Sequence, residues 1–165
     1  MNSHAEDSKG IETAQMVSDR LTSATERTTG LYLGSSTPRI HSKLVDLPSR
    51  GQELIDFADS IKLPLLPWQK WVAMEAHRVK PDGRWASPLV TVVVARQNGK
   101  TTLMKIRALA GLFLWQDGLQ IGTAHRLTTS LETFRDIVNI IEENEHLARQ
   151  VKRIRWAHGS EEIEL

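Results

Sequence analysis

The sequence predicts an α/β domain in which a parallel sheet is flanked by helices and preceded by a flexible arm. Three observations predict it. Strand candidates at Leu89–Ala95, Gln120–Ala124 and Glu161–Leu165 alternate with two long helical stretches, the pattern of parallel strands joined by crossovers. The first run, rich in Val92, Val93 and Val94, suits a buried strand and passes through "ARQNGKTT" directly into a helical pattern. The first 50 residues contain 14 Ser or Thr and no sustained periodicity, so this stretch cannot bury enough apolar surface to order itself.

The arm is therefore expected over 1–50, and the domain over 51–165. From Gly51, the residues Leu54, Ile55, Phe57, Ala58 and Ile61 recur at helical spacing until Pro64 and Pro67 stop the helix. Pro67 opens the next helix, because its missing N–H costs nothing in a first turn, and "PWQKWVAMEAHRV" puts Trp68, Trp71, Val72 and Ala76 on one side. Packing is the expected role of the two Trp residues, although either has a face on which a base can stack. "KPDGRWASP" is a loop.

The next helix is expected from Thr101 to about Trp115, apolar nearly all round and ending at Asp117-Gly118. The one after it has Thr129 or Ser130 as cap and a stripe of Leu131, Phe134, Ile137, Val138 and Ile141 that ends near Asn144. A further stretch carries Leu147, Val151 and Ile154. The terminal "EEIEL" alternates as a strand does.

Composition narrows the functional classes. With 21 Lys+Arg against 20 Asp+Glu the net charge is +1, so any nucleic-acid surface must be local. There is no cysteine, which excludes disulfides and thiolate metal sites, and the six His residues show no metal-ligand spacing; His125 reads as a loop or packing residue. "MNSHAEDSKG" lacks the apolar core of a signal peptide, and the longest apolar stretches fall well short of the roughly 18 residues of a membrane span. A soluble, cytosolic protein is expected.

The loop at 94–102 carries the chemistry. A phosphate cradle needs backbone N–H groups turned inward, a Gly where a side chain would collide with the phosphate, and a helix N-terminus behind it. Gly99 and the helix starting near Lys100 meet these needs. Lys100 then reaches the β/γ-phosphates of ATP, and the Thr101 hydroxyl serves as a ligand to Mg²⁺. Arg96 is either a solvated loop residue or a cation that steadies charge on the transferring phosphoryl group. Gln97 and Asn98 space the loop, and Thr102 closes it. A full Walker A pattern has another Gly five residues before Gly99, where this chain has Val94.

"VVVARQNGKTT", preceded by "LPLLPWQKWV" and followed by "IGTAHRLTTSLETFRDI", resembles the N-terminal ATPase domain of the large terminase subunit of tailed bacteriophages. The resemblance covers roughly Gln52 to Leu165. In that family the loop commonly reads Arg-Gln-x-Gly-Lys-Thr or -Ser and often lacks the first Gly, so Val94 agrees with it. The resemblance implies a P-loop NTPase-like sheet, ATP and Mg²⁺ as cofactors, and a motor that moves DNA into the procapsid in the bacterial host cytoplasm. It implies that Gln69 reads the adenine edge, since an amide donates and accepts at once, and that Arg96 acts in cis as a catalytic charge stabiliser. Arg126 becomes a DNA candidate, with a helix-capping role as the alternative. Arg149, Lys152, Arg153 and Arg155 are either DNA-phosphate contacts or a solvated helix face. Double-stranded DNA, the remaining terminase polypeptide, the portal and the small terminase subunit are the implied partners, with homo-oligomers only in the complete motor.

Hydrolysis by such a fold needs a second strand ending in Asp-Glu, to support Mg²⁺ and orient the attacking water. No such stretch follows Lys100, and in "EEIEL" the acids precede or alternate with the apolar residues. The expectation is the ATP-binding front part of a terminase large subunit, ending before that motif and the nuclease domain. A helicase-like DNA-dependent ATPase fragment and a non-hydrolysing nucleotide-binding or assembly module are the alternatives.

Overall fold

Among the described residues, five helices and one short hairpin follow from where the apolar residues fall. A computed structural model of the chain describes residues 35–157 and 159–165, so most of the arm expected at 1–50 lies outside the described residues. Within the unit Pro38–Leu165, the chain is already fixed by Pro48 and Ser49: the Val79 N–H donates to the Pro48 carbonyl over 2.8 Å, and Ser49 bridges to Arg78. The domain therefore begins a little before Gly51.

Helix α1 (Gly51–Ser60) presents Leu54, Ile55 and Ala58 on one side, and α2 (Pro67–Ala76) opens on its proline as the sequence requires. Gly51 makes their crossing possible. A Cβ there would lie 2.4 Å from the Ala73 carbonyl oxygen, a distance that no side chain tolerates. Helix α3 (Lys100–Phe113) lays Leu103, Ile106 and Ala110 on this pair, and together they make the first core cluster with Leu54, Ile55, Ala58, Leu65 and Ala73. Each fully buried Leu or Ile there contributes about 1.5–3 kcal/mol relative to exposure. The second cluster joins Ile61, Leu109, Ile141 and Leu147, drawing in α4 (Leu127–Glu143) and the short α5 (Glu145–Ala148).

Two boundaries differ from the sequence reading. Helix α4 starts at Leu127, with Arg126 as its N-cap residue and no side-chain cap. Thr129 and Ser130 lie inside its first turn, where the Thr129 carbonyl accepts a hydrogen bond from the Thr133 hydroxyl at 3.0 Å. Helix α3 ends at Phe113, and the left-handed residue of the turn is Gln116 (φ 52°), not Gly118; the Asp117 N–H closes that turn on the Gly111 carbonyl.

The expected parallel strands differ more. Among the described residues, the sheet is a single antiparallel pair, β1 (Arg153–Arg155) and β2 (Glu162–Glu164), with Ile154 opposite Ile163. The strand expected at the chain end is thus present, but it pairs with the residues just before it, as a short connection allows and a crossover does not. Neither Leu89–Ala95 nor Gln120–Ala124 belongs to a ladder. In the first, burial still alternates: Val92 and Val94 are half-buried while Val93 is 89 % exposed. That is the side-chain pattern of a strand without neighbours. A parallel strand is held by the strands beside it, and these two segments are not paired with each other.

Candidate functional site

The loop before α3 has the local form that its sequence requires. Gly99 is the N-cap residue of this 14-residue helix and is left-handed (φ 78°), a conformation that a glycine adopts without steric cost. Gln97, two residues earlier, is also left-handed (φ 62°), which a residue with a Cβ adopts only under constraint. The Asn98 amide braces the turn by donating to the Arg96 carbonyl over 3.3 Å. Gln97 and Asn98 are therefore more than spacers.

Lys100, the first helical residue, folds its side chain back over the loop. Its Nζ donates to the carbonyls of Val94 at 2.7 Å and Ala95 at 3.3 Å, so the ammonium spans the loop from helix to preceding segment. Arg96, Gln97, Asn98, Gly99, Lys100 and Thr101 line an open cavity of about 260 Å³. The exposed Thr101 is at this cavity, whereas Thr102 is half-buried and not part of the lining. The free N–H groups of a helix start, two cationic side chains and no carboxylate in the lining suit an anion. Of the lining side chains, Thr101 offers Mg²⁺ a hydroxyl oxygen; this fits an ion that prefers few protein ligands and takes the rest from phosphate and water.

Gln69 is brought to the same loop, but from behind. It is 2 % exposed, its Oε1 accepts from the Leu66 N–H at 2.7 Å, and its Nε2 donates to the Gly99 carbonyl at 2.8 Å. That carbonyl also accepts the first helical bond, from the Leu103 N–H at 3.2 Å. A Cβ on Gly99 would lie 2.7 Å from the Gln69 Nε2, so glycine is required here for close approach as well as for handedness. Trp68 packs on the first core cluster, and Trp71 stands beside His41 at 5.6 Å.

The basic residues near the chain end each have a partner at the surface. Arg149 pairs with Glu145, Arg153 with Glu162 and Glu164 at 3.1 Å each, and Arg155 with Glu162 at 3.5 Å. The Lys152 Nζ donates to the Leu165 carbonyl at 2.6 Å. Arg153 and Arg155 belong to the hairpin of RIR against EIE, whereas Arg149 caps the exposed end of α5. Arg126 and His125 are exposed ahead of α4 and are not among the residues that line the cavity.

One cluster was not legible in the sequence. Trp85 and Trp115 meet at 5.0 Å, with His77 against both rings and the guanidinium groups of Arg50 and Arg107 over the Trp115 ring at 5.4 and 4.7 Å. The Trp115 Nε1–H donates to Glu53 at 2.9 Å, and Arg107 pairs with Asp117 at 3.1 Å. Burial holds the His77 imidazolium pKa below its ordinary value, and the nearby Arg107 charge adds to the effect; the hydrogen bond to the Ala73 carbonyl and the Asp117 charge oppose it. The carboxyl of Glu53 is held below its usual range chiefly by its hydrogen bond with Arg50. The Glu53, Arg50, Trp115, Arg107 and Asp117 contacts fasten α1, α3 and the turn after α3 to one another.

Among the described residues no helix is long and apolar enough to cross a membrane. Comparison with known proteins finds no family model, no curated protein and no solved structure that matches the chain.

Proposed function

We propose that this chain binds ATP through the loop at 94–102, as the ATP-binding part of a DNA-packaging motor of the terminase type with a P-loop-like arrangement. The observation that carries the reading is the placement of Lys100: it begins a helix behind a left-handed Gly99, with its ammonium folded across a cavity lined by the loop. A triphosphate entering there meets free helix N–H groups and exchanges the Val94 and Ala95 carbonyls for its own oxygens on the Lys100 ammonium. Arg96 lines the same cavity and supplies the second cation. Thr101 contributes its hydroxyl to the Mg²⁺ that accompanies the nucleotide. The strand-like alternation at Val92–Val94 supports a sheet position for the segment that feeds the loop.

The cavity lining holds no carboxylate to orient a water, which favours binding without turnover by this chain alone. DNA contact through Arg149, Lys152 and Arg153 would exchange the exposed ion pairs of Arg149 and Arg153 and the Lys152 hydrogen bond for phosphate oxygens. The test is titration calorimetry of ATP·Mg²⁺ against the wild type and Lys100→Ala. Loss of a charge-assisted contact costs about 1.5–3 kcal/mol, or roughly a 10- to 100-fold weaker Kd. Equal affinity in two folded proteins would reject the site.

A further inference from the structure

We propose that Gln69 is a positioning residue for the phosphate loop and does not read the base. The inference rests on the site reading above but assigns Gln69 a different task. Both ends of its amide are committed to backbone groups, the Leu66 N–H and the Gly99 carbonyl, and the side chain is 2 % exposed, so no edge of it is presented to a ligand. A trans peptide points its C=O and N–H in opposite directions. Gln69 draws the Gly99 carbonyl toward α2 and thereby turns the Lys100 N–H away from itself, out along the free start of α3. Gly99 completes the device, because any Cβ there would push on the Gln69 Nε2. One buried amide thus ties the proline-led start of α2 to the peptide that leads from the phosphate loop into α3.

Positioning and base reading make opposite predictions for a ligand that has phosphates and no base. Calorimetry compares inorganic tripolyphosphate, ATP and GTP on the wild type, Gln69→Leu, Gln69→Glu and Lys100→Ala. Gln69→Leu is expected to weaken tripolyphosphate and ATP by the same factor, about tenfold, and to leave the ATP-to-GTP ratio within about twofold of wild type. Gln69→Glu, which keeps an acceptor for the Leu66 N–H but presents oxygen to the Gly99 carbonyl, is expected to lose as much. A narrowed ATP-to-GTP ratio with unchanged tripolyphosphate affinity would overturn the proposal in favour of base reading. Unchanged affinity for all three ligands would overturn it outright.

A variant-free measurement covers the case in which a buried substitution prevents folding. In wild-type protein, the Gln69 side-chain amide resonances are expected to shift on addition of tripolyphosphate and to stay in place with adenosine; the reverse overturns the proposal. If wild type binds no tripolyphosphate, the phosphate-site reading falls and the inference with it. Lys100-dependent tripolyphosphate binding that ignores Gln69 removes the inference alone.

Discussion

Gly99 meets two demands at one backbone position: a left-handed φ of 78° and room for the Gln69 Nε2, which an added Cβ would meet at 2.7 Å. Gly99→Ala violates both. It is expected to cost about 1–3 kcal/mol through the strained backbone and to lower ATP affinity further through the displaced amide. Thermal unfolding with and without ATP separates the two effects, and equal stability and affinity in the variant would show that the loop does not depend on this geometry. His77 is the residue whose charge state matters most to the aromatic cluster. Its pKa in the fold lies below the ordinary value of about 6.5. The unfolded chain therefore takes up the proton first as pH falls. The stability contributed by neutral His77 is complete above about pH 6.5 and is lost from there downward, toward the folded-state value. His77→Gln, which keeps a hydrogen-bond donor but does not titrate, is expected to flatten the fall in stability below about pH 6.5. Denaturant midpoints across that range check it.

At the scale of the element, helices were legible because each carries its own signal. Leu54, Ile55, Ala58 and Ile61 mark α1 by spacing alone, and Pro67 fixes the start of α2. The strands were not, because a short apolar run says nothing about which segment lies beside it. Val90–Ala95 has the composition of a buried parallel strand, yet among the described residues it has no ladder, whereas Glu162–Glu164 found a partner in the preceding basic run. That partnership was readable only by setting RIR against EIE in register. The same register sets Arg153 opposite Glu164 and Arg155 opposite Glu162. Removing those two negative charges as Glu162→Gln with Glu164→Gln is expected to raise non-specific duplex binding at low salt, with a steeper dependence on salt concentration. Fluorescence anisotropy across a salt series reads the slope. Strong duplex binding by the wild type, unchanged in the double variant, would return these arginines to the DNA interface. The loop was legible as a motif, but its support was not: Gln69 lies 30 residues before Gly99, and a helix-start glutamine gives no sign in sequence of which group its amide holds.

For the whole molecule, the balance of buried and exposed apolar groups is uneven. The helical half closes on two clusters with Leu54, Ile106, Leu109 and Ile141 wholly out of solvent. In the two unpaired segments, Leu89 and Val93 of the first are 80 % and 89 % exposed, and Leu119 and Ile121 at the second are 80 % and 79 % exposed, on backbone that belongs to no ladder. Apolar side chains on unpaired backbone form a template for intermolecular pairing, so these segments are where self-association should begin. Replacing Val93 and Ile121 with Lys places a charge on each segment without entering either core cluster. The double variant is expected to stay monomeric at concentrations where the wild type associates, by light scattering and sedimentation velocity. Its unfolding free energy should remain within about 0.5 kcal/mol, as for surface substitutions that break no contact. A loss of several kcal/mol would mean that Val93 or Ile121 is buried in a sheet in solution; association that persists in a stable variant would place the sticky surface elsewhere on the chain.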